Sequence, residues 1–194
     1  MQPSLSHRKT HTDFEDLQLV NYCHPDCIPM LNIMRLDRNK AFELAAKLAK
    51  EHPDTAAFYR FADFDNYYAL REAQDQFLYC RFKALGGKPQ TGHPLSFVIE
   101  GSEYLKEWFG NGTETRITMR ETNFETVSFT IGDSGSVYQH SGTVELYTRD
   151  DMKNIYREYG NDLRKLLEEH GKKYVEVQLW TESVPDIRSA VPYK

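Results

Sequence analysis

The segment from residue 174 to residue 180 constrains the fold more than any other stretch of this chain. Successive side chains of a β-strand point to opposite faces, so period-two alternation predicts a strand with one face in the core. The side chains of the other face suit the wall of a cleft, and Glu176 is the best single candidate for chemistry. The apolar face carries Val175, Val177 and Leu179, and the other carries Tyr174, Glu176, Gln178 and Trp180.

Similar patterns predict the remaining elements. Apolar residues at helical spacing, with capping residues at the ends, predict helices over residues 38–50, 64–85, 103–109 and 150–170, the last interrupted at Gly160. In the second helix the spacing predicts a buried stripe of Leu70, Ala73, Phe77, Cys80 and Ala84. β-prone runs predict strands over residues 17–22, 55–61, 94–99, 115–120, 126–131 and 143–148.

The order of these elements predicts an α+β fold with an antiparallel component late in the chain. Residues 28–34 fit a helix start or, alternatively, a strand. We expect a single domain over residues 13–194, because 194 residues suit one core, and a loose polar leader over residues 1–12.

Composition narrows the class of protein. No apolar run approaches the roughly 20 residues that span a bilayer, and the first residues lack an apolar signal core. Together with three cysteines, an odd number, this predicts a cytoplasmic protein with free thiols and no membrane partner. A net charge of -5 argues against general nucleic-acid binding, although a local basic groove is compatible with it.

Two short motifs resemble reactive sites but lack the residues that such sites need. The turn from Cys23 to Cys27 holds two thiols and an imidazole, yet zinc sites use about four ligands and no second pair follows. We therefore expect no metal site. Residues 132–136 partly match a serine-protease nucleophile loop, without a His and an Asp in a recognisable context. A tight hairpin turn over residues 132–135 is the stronger interpretation.

The run from Phe58 to Tyr68 holds six aromatic residues interspersed with Arg60 and acidic or amide residues. Such a density of rings and polar groups suits a surface that binds a flat ligand. An aromatic core seam where a strand meets a helix explains the run equally well.

Both ends of the chain resemble one enzyme family. The segment Val20-Asn21-Tyr22-Cys23-His24-Pro25, continuing to Leu31, resembles the opening motif of the DarT-type DNA-thymidine ADP-ribosyltransferases. The run from Glu176 to Trp180, followed by Val184-Pro185, is similar to that family's last strand, in which a catalytic glutamate opens the strand. Phe58-Tyr59 resembles an aromatic strand of the family. Asn21 stands where the family has its first histidine, and His24 matches the second.

The resemblance implies an ADP-ribosyltransferase-like fold with a split mixed/antiparallel sheet and flanking helices. It implies that NAD is the substrate, that Glu176 is catalytic, and that a nucleic acid or a protein accepts the ADP-ribose. The residues that it places around NAD are Asn21, His24, Tyr59, Arg60 and Tyr68. A non-enzymatic binding module, using an aromatic patch around Phe58–Tyr68, is the alternative function.

Overall fold

One continuous antiparallel sheet forms the centre of the protein. The structure is a computed structural model, and it describes residues 12–182. The strand order is β3-β1-β2-β5-β4, and each neighbouring pair runs antiparallel. The strands are β1 (Gln18–Cys23), β2 (Leu95–Ile99), β3 (Thr113–Thr118), β4 (Val127–Ile131) and β5 (Val175–Leu179).

The helices confirm the predicted α+β class. The α-helices are α1 (Arg38–Glu51), α2 (Phe64–Ala84), α3 (Glu103–Trp108), α4 (Ser134–Ser141), α5 (Arg149–Glu158) and α6 (Leu163–His170). Short 3-10 helices cover Phe14–Asp16, Ile33–Arg35, Ala56–Asp63, Met119–Glu121 and Phe124–Thr126. The predicted break at Gly160 is confirmed, because that glycine has a φ of 70° between α5 and α6.

The expected split of the sheet is wrong. Strand β2 pairs with β1 along one edge and with β5 along the other, so its backbone joins the two halves. The junction between β1 and β2 is narrow, with Leu19 opposite Ile99 and Val20 opposite Val98. A continuous sheet gives every strand residue a definite face, which decides below which candidate residues can meet.

Both faces of the sheet are covered. On the first face, Leu19, Phe97 and Val177 pack with Phe129 into a core that α5 and α6 close with Met152, Tyr156 and Leu166. On the second face, α2 supplies Leu78 and Phe82, and Val144 and Leu146 complete the cluster around Trp180. The rings of Phe82 and Trp180 stack at 6.1 Å. Strand β5 is thus buried on both sides except at Glu176, which is half-buried, and the prediction of an open cleft wall along its whole second face is wrong.

The buried stripe of α2 differs from the predicted one. Leu70 and Cys80 are exposed, whereas the buried positions are Phe64, Gln74, Asp75, Leu78 and Phe82. Gln74 and Asp75 can be buried because each has a polar partner, whereas the stripe was predicted from apolar residues alone. The buried face of α2 consequently includes these polar residues and is rotated about the helix axis relative to the predicted stripe.

Three further segments depart from their predicted structure. Residues 55–61 form part of a 3-10 helix rather than a strand, and Phe58 from this turn is buried. Residues 132–135 are not a hairpin turn, because the Asp133 carboxylate caps α4 by accepting the N–H groups of Gly135 at 2.9 Å and Ser136 at 3.1 Å. Residues 143–148 contribute one bridge, from Tyr147 to Phe129, instead of a strand.

Residues 28–34 form no α-helix and no strand; only the 3-10 turn Ile33–Arg35 begins there. Within residues 12–182 no helix combines the length and the apolar character that crossing a membrane requires. The predicted leader lies outside the described residues except for Thr12, and Val184-Pro185 of the family resemblance also lies outside them.

The first-face core predicts a clear contrast between two phenylalanines. Phe129 is fully buried and Phe124 is 66% exposed. Phe129→Ala should lower the free energy of unfolding by about 3–5 kcal/mol, because it leaves a cavity in the first-face core. The control Phe124→Ala should change it by about 0.5 kcal/mol or less. Urea denaturation followed by circular dichroism measures both, and equal effects would contradict the assigned core.

Candidate functional site

Glu176 lies at the centre of the sheet and at the first turn of α4. It is opposite Thr130 on β4 and Val98 on β2. Its carboxylate accepts the Ser134 backbone N–H at 2.9 Å, and the Thr130 hydroxyl lies 3.4 Å from the same oxygen. The free N–H groups at a helix N-terminus favour a negative charge, so this contact by itself favours the carboxylate form.

A chain of polar side chains continues from Glu176 along the second face. The Trp180 indole N–H donates to Ser128 Oγ at 2.9 Å, and Ser128 Oγ donates to Gln178 Oε1 at 2.9 Å. The Gln178 amide then donates to Thr130 Oγ1 at 3.1 Å. We call Trp180, Ser128, Gln178, Thr130 and Glu176 the polar ladder. Because each buried group finds a partner, the ladder fixes the rotamers that lead to Glu176.

Two helices add charged and amide groups beside the ladder. Gln74 of α2 donates to Ser134 Oγ at 2.9 Å. Arg71, one turn earlier, has Nη2 3.2 Å from Asp75 Oδ1, and Asp75 Oδ2 lies 2.8 Å from His93 Nδ1. Burial alone would lower the pKa of Arg71, but nearby anionic groups, Asp75 first and also Glu176, raise it above its usual value. Arg71 is therefore a fixed cation near Glu176.

Glu176 is half-buried, and its packing against the sheet and α4 removes much of its carboxyl group from water. Burial raises its pKa, and the neighbouring Asp133 carboxylate raises it further. Hydrogen bonds from Ser134 and the charge of Arg71 act in the opposite direction without cancelling the effect. A raised carboxyl pKa in a polar setting is typical of catalytic acids and bases, and it also occurs in structural networks.

A small pocket opens between α2 and α4 next to these groups. Arg60, Arg71, Gln74 and Gly135 are among the residues that line it. Its cavity volume is ≈ 10 Å³, which is enough for one water molecule. A dinucleotide such as NAD does not fit this cavity in the conformation that the structure describes.

The residues predicted around NAD are distributed over several places. Arg60 lines the pocket and donates to Gln139 Oε1 at 3.1 Å, and its guanidinium lies 5.3 Å from the Tyr59 ring centroid. Tyr68 instead packs against Phe42 and Phe64 in the cluster around α1. The expected run of aromatic residues thus serves mainly as a core seam, and Tyr59 is its exposed member, at 54%.

Asn21 and Glu176 lie on opposite faces of the sheet. Asn21 shares the first face with Leu19, because the two are separated by one residue on β1. Val98 is opposite both Val20 and Glu176 on the neighbouring strands, so these three side chains share the second face. The Asn21 amide donates to the Ser96 carbonyl at 2.8 Å. The expected pocket shared by Asn21 and Glu176 is therefore absent from the described residues.

His24 occupies a buried turn after β1. Its ring centroid lies 4.5 Å from that of His52 and 5.0 Å from that of Phe58. Burial lowers the pKa of His24, and the neighbouring His52 lowers it further. The sequence did not single out His52, because it comes from the end of α1, far from the turn along the chain.

A row of aromatic rings on the surface was also missed. The Tyr59 and Trp108 centroids are 6.0 Å apart, and the Trp108 and Tyr104 centroids are 5.8 Å apart. Tyr104 and Trp108 are four residues apart on α3, a spacing that places both on one side of a helix and was available in the sequence. We call Tyr59, Trp108 and Tyr104 the aromatic row.

Comparisons of this chain with protein-family models, with curated proteins and with solved structures find no match. The chemistry must therefore be argued from the geometry of the protein itself.

The raised pKa of Glu176 predicts a pH dependence of stability. A carboxyl group whose pKa is higher in the folded than in the unfolded state contributes stability below the unfolded value, near 4.5, and that contribution is lost as the pH rises through the folded value. As the pH rises from about 4 to about 7, the wild type should therefore lose this contribution, and the stability of Glu176→Gln relative to the wild type should increase. Urea denaturation at both pH values measures this. The exposed Glu43→Gln is the control, and a relative stability of Glu176→Gln that falls with pH would contradict the assignment.

Proposed function

We propose that this protein binds short single-stranded nucleic acid or free nucleotides through the aromatic row. The proposal rests on the order in which aromatic and cationic side chains follow one another along the surface. Tyr59 and Trp108 meet edge-on at 86° and 6.0 Å, Trp108 and Tyr104 are tilted by 39° at 5.8 Å, and a cation lies at each end. Arg60 lies 5.3 Å from the Tyr59 centroid, and Lys173 Nζ lies 3.8 Å from the Tyr104 centroid.

The two outer rings of the row are accessible to a ligand. Tyr59 is 54% exposed and Tyr104 is 39% exposed, and Trp108 between them is half-buried. Bases stack on such rings with little dependence on sequence, because every base has a π face. Arg60 and Lys173 each cover one face of Tyr59 and Tyr104, respectively, so a base stacks on the other face of each ring and its flanking phosphate meets the nearby cation.

The overall charge limits the mode of binding. A net charge of -5, with Glu103 and Glu107 exposed on α3 beside the row, disfavours long contacts with a phosphate backbone. Stacking must then supply most of the affinity. Two neutralised phosphates imply that log K falls with log salt with a slope of about -1.4 for a single strand.

Alanine substitutions in the row test the proposal. We expect Tyr59→Ala and Trp108→Ala each to weaken binding by roughly 1–3 kcal/mol, which is about 5- to 150-fold. The measurement is the fluorescence anisotropy of labelled single-stranded DNA and RNA of about ten nucleotides, a typical site size for such surfaces. The control is Phe124→Ala, which removes an exposed ring that is 66% accessible and not part of the row.

Two results would reject this function. One is the absence of saturable binding by the wild type at low salt. The other is an equal loss of affinity in Phe124→Ala and in the row variants, which would indicate a general change in folding. A salt slope far steeper than about -1.4 would show that charge, and not stacking, dominates.

An NAD-dependent ADP-ribosyltransferase-like enzyme is the second candidate, and Glu176 favours it. Its carboxyl group has a raised pKa and lies near Arg71, which lines a pocket together with Arg60 from the end of the aromatic row. A carboxylate is the group that stabilises positive charge on a ribose as nicotinamide leaves. This function implies an ADP-ribosyltransferase-like architecture, and it requires the pocket to open for NAD. A nucleic acid bound on the aromatic row, or a protein, would accept the ADP-ribose.

Release of nicotinamide from NAD tests the second candidate. The enzyme hypothesis predicts turnover by the wild type and its loss, by at least about 100-fold, in Glu176→Gln, because removing an electrostatic contact of this kind costs that much. Glu43→Gln should retain activity. Turnover that persists in Glu176→Gln, or that is missing from the wild type, would remove the catalytic role while leaving the binding proposal intact.

We propose the cytoplasm as the compartment of the protein. Cys23, Cys27 and Cys80 are free thiols. Free thiols are expected where glutathione keeps cysteines reduced.

A further inference from the structure

Three potential metal-binding atoms converge beside the turn that follows β1. One potential ligand atom from each of His24, Asp26 and His52 lies within 4.8 Å of the other two. Asp26 Oδ2 is 3.2 Å from His52 Nε2 and 3.9 Å from His24 Nδ1. A tetrahedral ion at about 2.0–2.2 Å from nitrogen and oxygen ligands holds those ligands about 3.3–3.6 Å apart. Shifts of a few tenths of an ångström bring the two Asp26 pairs to that spacing. The ligand atoms of the two imidazoles lie within 4.8 Å of each other, so they must approach by up to about 1.5 Å.

The fold holds the two imidazoles in place. The His24 carbonyl accepts the Cys27 N–H at 2.9 Å, and the ring packs on Phe58 at 5.0 Å and on the backbone around Gly110. The His52 N–H donates to the Leu48 carbonyl at 2.9 Å, because His52 caps the end of α1. Ligands that the surrounding structure already orients bind an ion with less loss of entropy.

The carboxylate is the adjustable member of the group. The Asp26 side chain is 63% exposed, so it can rotate toward an ion and leaves a coordination position open to water. The Asp26 N–H is 3.3 Å from His24 Nδ1, a long contact that an ion would replace. Cys27, in the same turn, is engaged with Cys23, and we do not count it as a ligand.

The donor set selects a class of metal. Two imidazole nitrogens with one carboxylate oxygen suit zinc and the neighbouring divalent transition metals, whereas magnesium and calcium prefer oxygen ligands alone. The sequence predicted no metal site because the Cys23–Cys27 turn has no second ligand pair nearby along the chain, and His52 joins the turn only through the fold.

We propose that His24, Asp26 and His52 bind one divalent transition-metal ion of the zinc class. The ion joins the turn after β1 to the C-terminal end of α1. It stabilises the folded chain because the three ligands are brought together only by folding.

Cobalt titration of the full-length chain, first stripped with a chelator, tests this site. We expect one Co²⁺ per chain with visible d–d absorption, displaced by Zn²⁺, and a melting temperature that rises with metal concentration. Asp26→Asn and His52→Gln should each weaken binding by about tenfold or more. The matched controls Asp54→Asn and His140→Gln, an exposed aspartate and an exposed histidine, should bind as the wild type does.

The outcomes separate an ion site from an ordinary histidine–carboxylate pair. Saturable cobalt binding that depends on both Asp26 and His52 supports the site. No saturable binding, or binding that both variants retain, overturns it and leaves His52 and Asp26 as an ion pair. If His52→Gln fails to fold, Asp26→Asn decides the question, because its exposed side chain can be changed without disturbing the core.

Discussion

The burial of β5 on both faces is the constraint on which the rest of the structure depends. Its first face closes the core with Val175, Val177 and Leu179, and its second face must bury Gln178 and Trp180 as well. Polar groups can be buried at low cost only when they are hydrogen-bonded, and Ser128 and Thr130 of β4 supply those bonds. Strands β4 and β5 therefore specify each other's register through polar side chains as well as through the backbone.

The same ladder explains why Glu176 is tolerated in the middle of a sheet. Its partners are the first N–H of α4 and the charge of Arg71. These fixed groups take the place of the water molecules that would otherwise solvate the carboxylate. A group held this way can serve catalysis, because its environment needs no reorganisation, or it can anchor α4 to the sheet. Continuity of the sheet separates it from Asn21, so any chemistry at Glu176 must use groups from α2, α4 and the pocket around Arg60.

The sequence predicted the elements whose signals are local. Strand β5 alternates strictly, Asp37 caps α1 by accepting the Asn39 N–H, and Gly160 separates α5 from α6, so each could be located from residue pattern alone. The failures come from tertiary partners that no local pattern contains. Gln74 is buried because Ser134 hydrogen-bonds it from another helix, and Phe58 sits in a 3-10 turn because it packs under His24 and His52. Aromatic and β-branched residues favour strands only where they can pack against neighbouring strands of a sheet.

The 3-10 helix Ala56–Asp63 connects the two proposed ligand sites. Phe58 contacts the rings of His24 at 5.0 Å and His52 at 5.9 Å, and the next residue, Tyr59, begins the aromatic row. Any coupling between the proposed metal site and the aromatic row would therefore have to pass through this turn, and by thermodynamic linkage it would act equally in both directions.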